Sequence, residues 1–284
     1  MSELTQNSPE WLKMRKSKIG ASDASIVLGI NPWKTPRRLW EEKLDIVEQE
    51  PMNMAMMRGH QLEPIAREFF TTATGKIALP AVSFHPEYEW MMASLDGVNH
   101  EEEFILEIKC GGQKLHDQAR IGVIPEYYMC QMQHQMAVTG FSKCFYLSYF
   151  EGDGIIIPVD RNDQFIEDTL LPSLKEFWYC LSNLVEPALH DKDYQKMEFY
   201  DWMIAADGYR SVSAQIKELS KIQDELKANL ISMAADRNCM GAGVKIFKTK
   251  RKGQVDYSAI PQLIDVNLEE YRKKGCDFWT IREM

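Results

Sequence analysis

Two carboxylates and one amine carry the chemistry this sequence offers. Asp96 stands in SLDGV, and Glu107 and Lys109 stand further on in FILEIKC. FILEIKC alternates like a strand, so Glu107 and Lys109 share one face while Leu106 and Ile108 share the other. If the earlier run EWMMASLD is the neighbouring strand, Asp96 at its end sits beside Glu107. Two buried carboxylates repel, and each is costly alone; a divalent cation resolves both problems. Mg²⁺ takes hard oxygens at roughly 2.0–2.1 Å and keeps some waters, which suits Asp96, Glu107 and a backbone carbonyl such as that of Ile108. Lys109, on the same face, is placed to orient or deprotonate an attacking water. Together these are the parts needed to hydrolyse a phosphodiester. The same spacing also fits an exposed strand edge with a Glu–Lys pair of little energetic worth.

The surrounding pattern supplies elements to position these groups. The opening third reads as helical: Pro9-Glu10-Trp11 starts an amphipathic turn, and GASDASIVLG offers Ser22 as a cap for a short helix. NPWKTP is a loop, and PRRLWEEKL is a further short helix. In RGHQLEPIAREFF, Leu62, Ile65, Ala66, Phe69 and Phe70 have the spacing of a buried helical face, with Pro64 in a first turn or at a kink. Three strand-like runs follow, AVSFH, EWMMASLD and EFILEIKC, with DGVNH read as turn material between the last two. EYYMCQMQHQMAVTG is a helix starting after Pro125 and ending at Gly140, with Tyr128, Met132 and Met136 as its inward stripe and Gln131 off it. KCFYLSYF and GIIIPVD form a hairpin, and DQFIEDTLLPSLKEFWYCL is a closing helix. The order helix, three strands, helix, two strands, helix predicts an α/β (α+β) fold: a central mixed sheet flanked by helices.

Residues 1–190 form that predicted domain, and 191–284 an accessory region packed on it. The accessory region holds a long polar amphipathic helix, SVSAQIKELSKIQDELKANLISMA, and a basic strand pair, GVKIFKTK with QVDYSAI. The net charge of −9 argues weakly against a polyanionic partner, because charges more than about 10 Å apart are screened at cellular salt. Two basic runs, KMRKSK at 13–18 and KIFKTKRK at 245–252, offer local cationic surface, or simply solvated faces. In the second run Lys245, Lys248, Lys250 and Arg251 are the candidate DNA contacts. No apolar run approaches the eighteen residues of a membrane span. The N-terminus lacks the pattern of a secretion signal, and the six scattered cysteines include no CxxC. These features predict a cytoplasmic protein with reduced thiols, no membrane partner and no iron–sulfur cluster.

Five blocks, in order, resemble the phage lambda exonuclease and YqaJ-type viral recombinase family, nucleases with an Asp…(Asp/Glu)-x-Lys core: WLKMRKSKIGASD, RGHQLEPIAREFF, SLDGV, EIKC and YYMCQMQHQMAVTG. The resemblance implies a restriction-endonuclease-like core with Asp96, Glu107 and Lys109 as its catalytic set. It implies that Arg15 and Ser22 bind a terminal 5′-phosphate, that Glu63 assists at the metal site, and that Gln131 is the active-site glutamine. Physically, a guanidinium and a hydroxyl at a helix start suit an anion. His134, close by, reads as structural rather than as a metal ligand.

The resemblance further implies a Mg²⁺-dependent 5′-to-3′ exonuclease, with two ions and with Mn²⁺ as a substitute. Such an enzyme acts on double-stranded DNA ends and leaves 3′ overhangs for a single-strand annealing protein. Compact relatives form a ring-shaped trimer, so a homo-oligomer is expected. A structure- or sequence-directed endonuclease on the same core is the alternative, and a non-catalytic DNA-binding scaffold is a third.

Overall fold

The structure, a computed structural model, describes residues 9–48, 51, 53–249, 253, 260, 266, 271–275 and 281. The chain divides into two compact units, Met1–Tyr194 and Gln195–Met284.

In the first unit, β1 (Leu79–Phe84), β2 (Met92–Asn99), β3 (Phe104–Lys109), β4 (Lys143–Phe150) and β5 (Asp153–Asp160) form one sheet in the order β1-β2-β3-β4-β5. β3 and β4 run parallel and every other pair is antiparallel. A parallel neighbour demands a crossover, and α5 (Gln113–Arg120) and α6 (Glu126–Thr139) supply it. Alternation along β3 feeds two cores. Phe104, Leu106 and Ile108 pack with Ala66 and Phe70 of α4 (Met54–Thr74), while Ile105 packs with Met132 and Met136 of α6. α1 (Pro9–Lys16), a 3-10 turn (Ala21–Asp23), α2 (Ala24–Val27) and α3 (Pro36–Lys43) precede the sheet. α7 (Asp163–Phe165), a π-helical turn (Ile166–Leu170) and α8 (Leu171–Asn183) follow it. The predicted mixed sheet flanked by helices is the fold found.

Four local readings need correction. The eight-residue α5 was not expected; its buried His116 bonds Ser148 on β4 and Asp153 on β5, long-range contacts that a glycine-led polar stretch does not advertise. DGVN is strand rather than turn, because β2 runs on to Asn99. Gly97 is there for close approach, since a Cβ at that position would come 2.7 Å from the Ala78 side chain. Ile65 is exposed, so the inward face of α4 narrows to Ala66 and Phe70 with Leu62 and Phe69 partly covered. Of the two positions read for Pro64 the first turn is excluded: it falls in mid-helix, because α4 starts ten residues earlier, where the Asn53 side chain accepts the amide of Met56.

The second unit consists of α9 (Tyr200–Ala234) and a hairpin of β6 (Cys239–Gly241) and β7 (Val244–Ile246). α9 starts about a dozen residues before the predicted helix. β7 pairs with β6; of the predicted strand QVDYSAI, residues 254–259 lie outside the described residues, as do Lys250 and Arg251.

Candidate functional site

The β2–β3 ladder ends at the pair Gly97–Leu106. In continuing register Asp96 would face Glu107. Instead the strands part there, and Asp96 Oδ2 takes the amide of Ile108 at 2.8 Å. Arg67 of α4 holds the Asp96 carbonyl at 2.8 Å. Asp96 is therefore fixed at a fork between two strands, in the middle of β2 rather than at its end.

Glu107 is 1% exposed and fully engaged. Gln131 donates to its Oε1 at 2.7 Å, Gln135 donates to its Oε2 at 2.5 Å, and the Lys109 ammonium lies 2.5 Å from Oε1. The sequence reading singled out Gln131 and passed over Gln135, four residues on along the same helix face; that spacing was the available signal. Tyr128, one turn earlier, carries Lys109 Nζ 4.7 Å from its ring centroid. Gln135 Oε1 and the Tyr146 hydroxyl, both buried beside this cluster, find no hydrogen-bond partner among the described residues.

Electrostatics sets the protonation of these groups. Burial raises the pKa of Asp96 well above the carboxylate range, and the charges of Glu107 and Glu63 add to it, against Lys109 and the Ile108 amide. Burial works against the Lys109 ammonium, but Glu107 and Asp96 outweigh it and raise its pKa. Lys109 is thus held as a cation. Glu63 lies 3.2 Å from His60 Nδ1 and reaches Asp96 through its field. Among the described residues no group of three or more His, Cys, Asp or Glu side chains is gathered closely enough to hold one ion. Asp96 and Glu107 lie near enough for the charge of one to act on the other, and Ile108 follows Glu107 directly in the strand. Carboxylate and carbonyl oxygens are hard donors, which suit a hard divalent cation.

A second polar group lies on the segment before β2. Arg15 of α1 donates to the Ser22 hydroxyl at 2.7 Å, and its guanidinium sits 5.1 Å from the Trp11 ring. Trp11, itself buried, donates to Ser94 of β2 at 3.1 Å. An isolated bridge between Ile19 and Met91 ties this segment to the strand entering the site. Ser22 is no helix cap: it lies inside the 3-10 turn, and Gly20 takes the cap position. Lys43 approaches Asp23 to 2.8 Å. Burial opposes ionisation of Asp23, yet Lys43 and Arg15 outweigh it and hold the carboxyl below its usual range. His134 is buried and bonds the Met92 carbonyl at 3.0 Å, a structural placement. In the second unit Lys245 is exposed, and Lys248 ion-pairs with Asp236 at 3.0 Å.

A five-stranded mixed sheet with an acidic pair at a strand fork is a restriction-endonuclease-like architecture. Residues 10–142 match the YqaJ-like viral recombinase domain family. Uncharacterized protein YqaJ of Bacillus subtilis (strain 168) is 35% identical over 175 residues, covering 60% of this chain and 54% of that protein. The chain therefore spans about half the length of this relative. Among solved structures, an alkaline exonuclease (LHK-Exo) from Laribacter hongkongensis aligns with a TM-score of 0.56 at 27% identity, covering 63% of this chain and 95% of that one. The same enzyme in complex with dAMP aligns with a TM-score of 0.55 at 28% identity, with the same coverage.

Proposed function

We propose that the chain is a Mg²⁺-dependent exonuclease of the cytoplasm, degrading one strand of linear double-stranded DNA from its 5′ end and leaving a 3′ overhang for a single-strand annealing protein. The observation that carries this reading is the convergence of Asp96, Glu107 and Lys109 at the fork between β2 and β3. Asp96, Glu107 and the Ile108 carbonyl would hold the cation, with Glu63 contributing charge and Mn²⁺ a workable substitute. When bound, one or two such ions polarise the phosphoryl oxygen and lower the pKa of the attacking water.

The protein's own residues do the rest. Gln131 and Gln135 fix both oxygens of Glu107, and Lys109 orients the nucleophile beside it. Arg15 and Ser22 present a guanidinium and a hydroxyl to a terminal 5′-phosphate. Lys245 and Lys248, with Lys250 and Arg251 further on, contact the duplex backbone. A homo-oligomeric ring, trimeric as in compact relatives, gathers such cations around DNA on an acidic protein.

The test compares linear duplex, with and without a 5′-phosphate, against a closed circle. The expected result is Mg²⁺-dependent loss of the linear strand from its 5′ end, faster with the phosphate, and an intact circle. Cutting of the circle would replace the exonuclease reading with an endonuclease on the same core. Lys109→Ala and Asp96→Ala are each expected to abolish cleavage while the far-ultraviolet circular dichroism stays that of the parent. Wild-type turnover in the Lys109 variant removes that residue from the mechanism. Thermal unfolding with and without Mg²⁺ separately reads whether the native state binds the ion.

A further inference from the structure

Beside Lys109 runs a line of aromatic rings that the chemistry above leaves unused. Tyr128 lies against the Lys109 ammonium. Tyr127 meets Tyr128 edge-on at 4.4 Å between ring centroids, and Trp33 meets Tyr127 edge-on at 5.2 Å. The line starts at the cationic end of the site and finishes at a Trp33 ring that is 73% exposed. A single exposed aromatic is ordinary. Three in sequence, ending beside the proposed catalytic ammonium, are not.

The loop bearing Trp33 is built to hold the ring out. The buried Asn31 side chain accepts the amides of Trp33 and Lys34, each at 3.0 Å, and donates to Ser25 at 3.1 Å. Lys192 clasps the Asn31 carbonyl at 3.2 Å. Trp33 therefore projects from a fixed turn. Beneath it opens a cavity of about 470 Å³, within the range of small-molecule sites, lined by Trp33, Tyr127, Tyr128, Gly111, Gly112 and Leu115. Gly111 and Gly112 follow Lys109 and Cys110 directly, so this floor begins where the catalytic strand ends. A Cβ on Gly111 would come 2.4 Å from a terminal methyl of Leu115, so that side chain would have to turn to admit one.

We propose that Trp33, Tyr127 and Tyr128, with the cavity they line, form a stacking site for the nucleobase of the nucleotide whose phosphodiester is cut. A flat π-face beside a cation suits a nucleotide, with the phosphate toward Lys109 and the base against the rings. Stacking tolerates any base because each has a π-face, as an enzyme that digests DNA of arbitrary sequence requires. This subsite rests on the exonuclease reading, and it would align the scissile phosphate by gripping the base next to it.

Two experiments on the full chain test it. The first measures binding of dAMP against 2-deoxyribose 5-phosphate, which lacks the base, and needs no cleavage. In the parent protein the baseless compound is expected to bind about tenfold more weakly, the lower end of what stacking one base contributes, about 1.4 kcal/mol. Trp33→Ala should bind both compounds equally, and Trp33→Phe should restore most of the difference. The second measures digestion of duplexes whose 5′-terminal residue is normal or abasic. The parent should show a KM roughly tenfold higher on the abasic end, and Trp33→Ala should not distinguish the two ends.

The outcomes separate this proposal from the one beneath it. Parent protein that digests neither duplex removes the exonuclease reading, and the binding comparison still decides the base site. Parent protein that digests both ends alike, or Trp33→Ala that keeps the full base discrimination, overturns the stacking site and leaves the exonuclease standing. Gel filtration accompanies both experiments: a change of oligomeric state in Trp33→Ala makes Trp33 a contact between copies and also overturns the proposal. Because the ring is largely exposed, the variant should melt with the parent protein.

Discussion

α6 and α9 both read as amphipathic helices in the sequence, and the structure treats them in opposite ways. α6 has fourteen residues, of which eight are buried, and the buried set includes Gln133, His134 and Gln135 beside Met132 and Met136. α9 has thirty-five residues, and Ala234 is its buried one. Tyr209, Val212, Ile216, Leu219, Leu226 and Leu230 recur along α9 at helical spacing, yet all are exposed. A stripe of apolar residues specifies a helix but does not say what lies against it. On α6 the polar residues mark specific contacts with other elements, because burying a polar group is tolerated only where it finds a partner. Each one does: Gln131 and Gln135 meet Glu107, Gln133 bridges the Asp160 carbonyl and the Asn162 amide, and His134 meets Met92.

The contrast can be sharpened by mutation, beginning with the largest effects. Met132 is fully buried between α6 and the sheet. Met132→Ala is expected to cost about 2–5 kcal/mol in urea unfolding, the usual range for truncating a core side chain. A cost below about 1 kcal/mol would show α6 to be as loosely held as α9.

His134 gives a pH test of the same burial. Its Nε2 donates to the Met92 carbonyl, and its buried Nδ1 has no acceptor within reach among the described residues, so a second proton finds no partner. Burial lowers its pKa to about 4, against 6.5 ordinarily. Between those values the unfolded chain is protonated and the folded chain is not. This contribution to stability is therefore intact above pH 6.5 and falls as the pH drops toward 4, by about 3 kcal/mol in all. His134→Gln keeps a donor for Met92 and does not titrate. Its unfolding free energy should lose about 2 kcal/mol less than the parent's between pH 7 and 5. Parallel pH profiles would refute the buried neutral imidazole.

Gln135→Met preserves volume but leaves Glu107 Oε2 without its donor. On the exonuclease reading, cleavage should fall about 10–100-fold, as when a residue that orients a metal ligand is lost. Urea midpoints separate that loss from unfolding.

Much of this arrangement was legible in the sequence, for identifiable reasons. The strands and α6 were readable because their alternation or helical spacing is local and their ends carry strong signals, such as Gly140 in a left-handed conformation closing α6. The pairing of Glu107 with Lys109 followed from strand period alone. What could not be read depended on distant chain segments. α5 is secured by His116 reaching Ser148 and Asp153. The fork at Asp96 exists because the ladder stops at Gly97, a glycine required by Ala78 rather than by a turn. Arg15 meets Ser22 within a tight turn that no cap rule describes. The firm charge on Lys109 comes from two carboxylates that only folding brings to it.

The smallest expected effect is the most direct test of the contrast. Leu219 sits midway along α9 and is 64% exposed. Its side chain leaves little water-excluded surface behind when it is removed, so no cavity forms and little transfer free energy is lost. Alanine is also the better helix former, which favours the variant by a small margin. Leu219→Ala should therefore change the unfolding free energy of the full chain by no more than about 0.5 kcal/mol. Circular dichroism at 222 nm during urea titration follows α9 and α6 together, so Leu219→Ala and Met132→Ala can be compared in one experiment. If Leu219→Ala instead cost 2 kcal/mol or more, the α9 stripe would be covered in solution. The two helices would then differ in what covers them, and no longer in whether anything does.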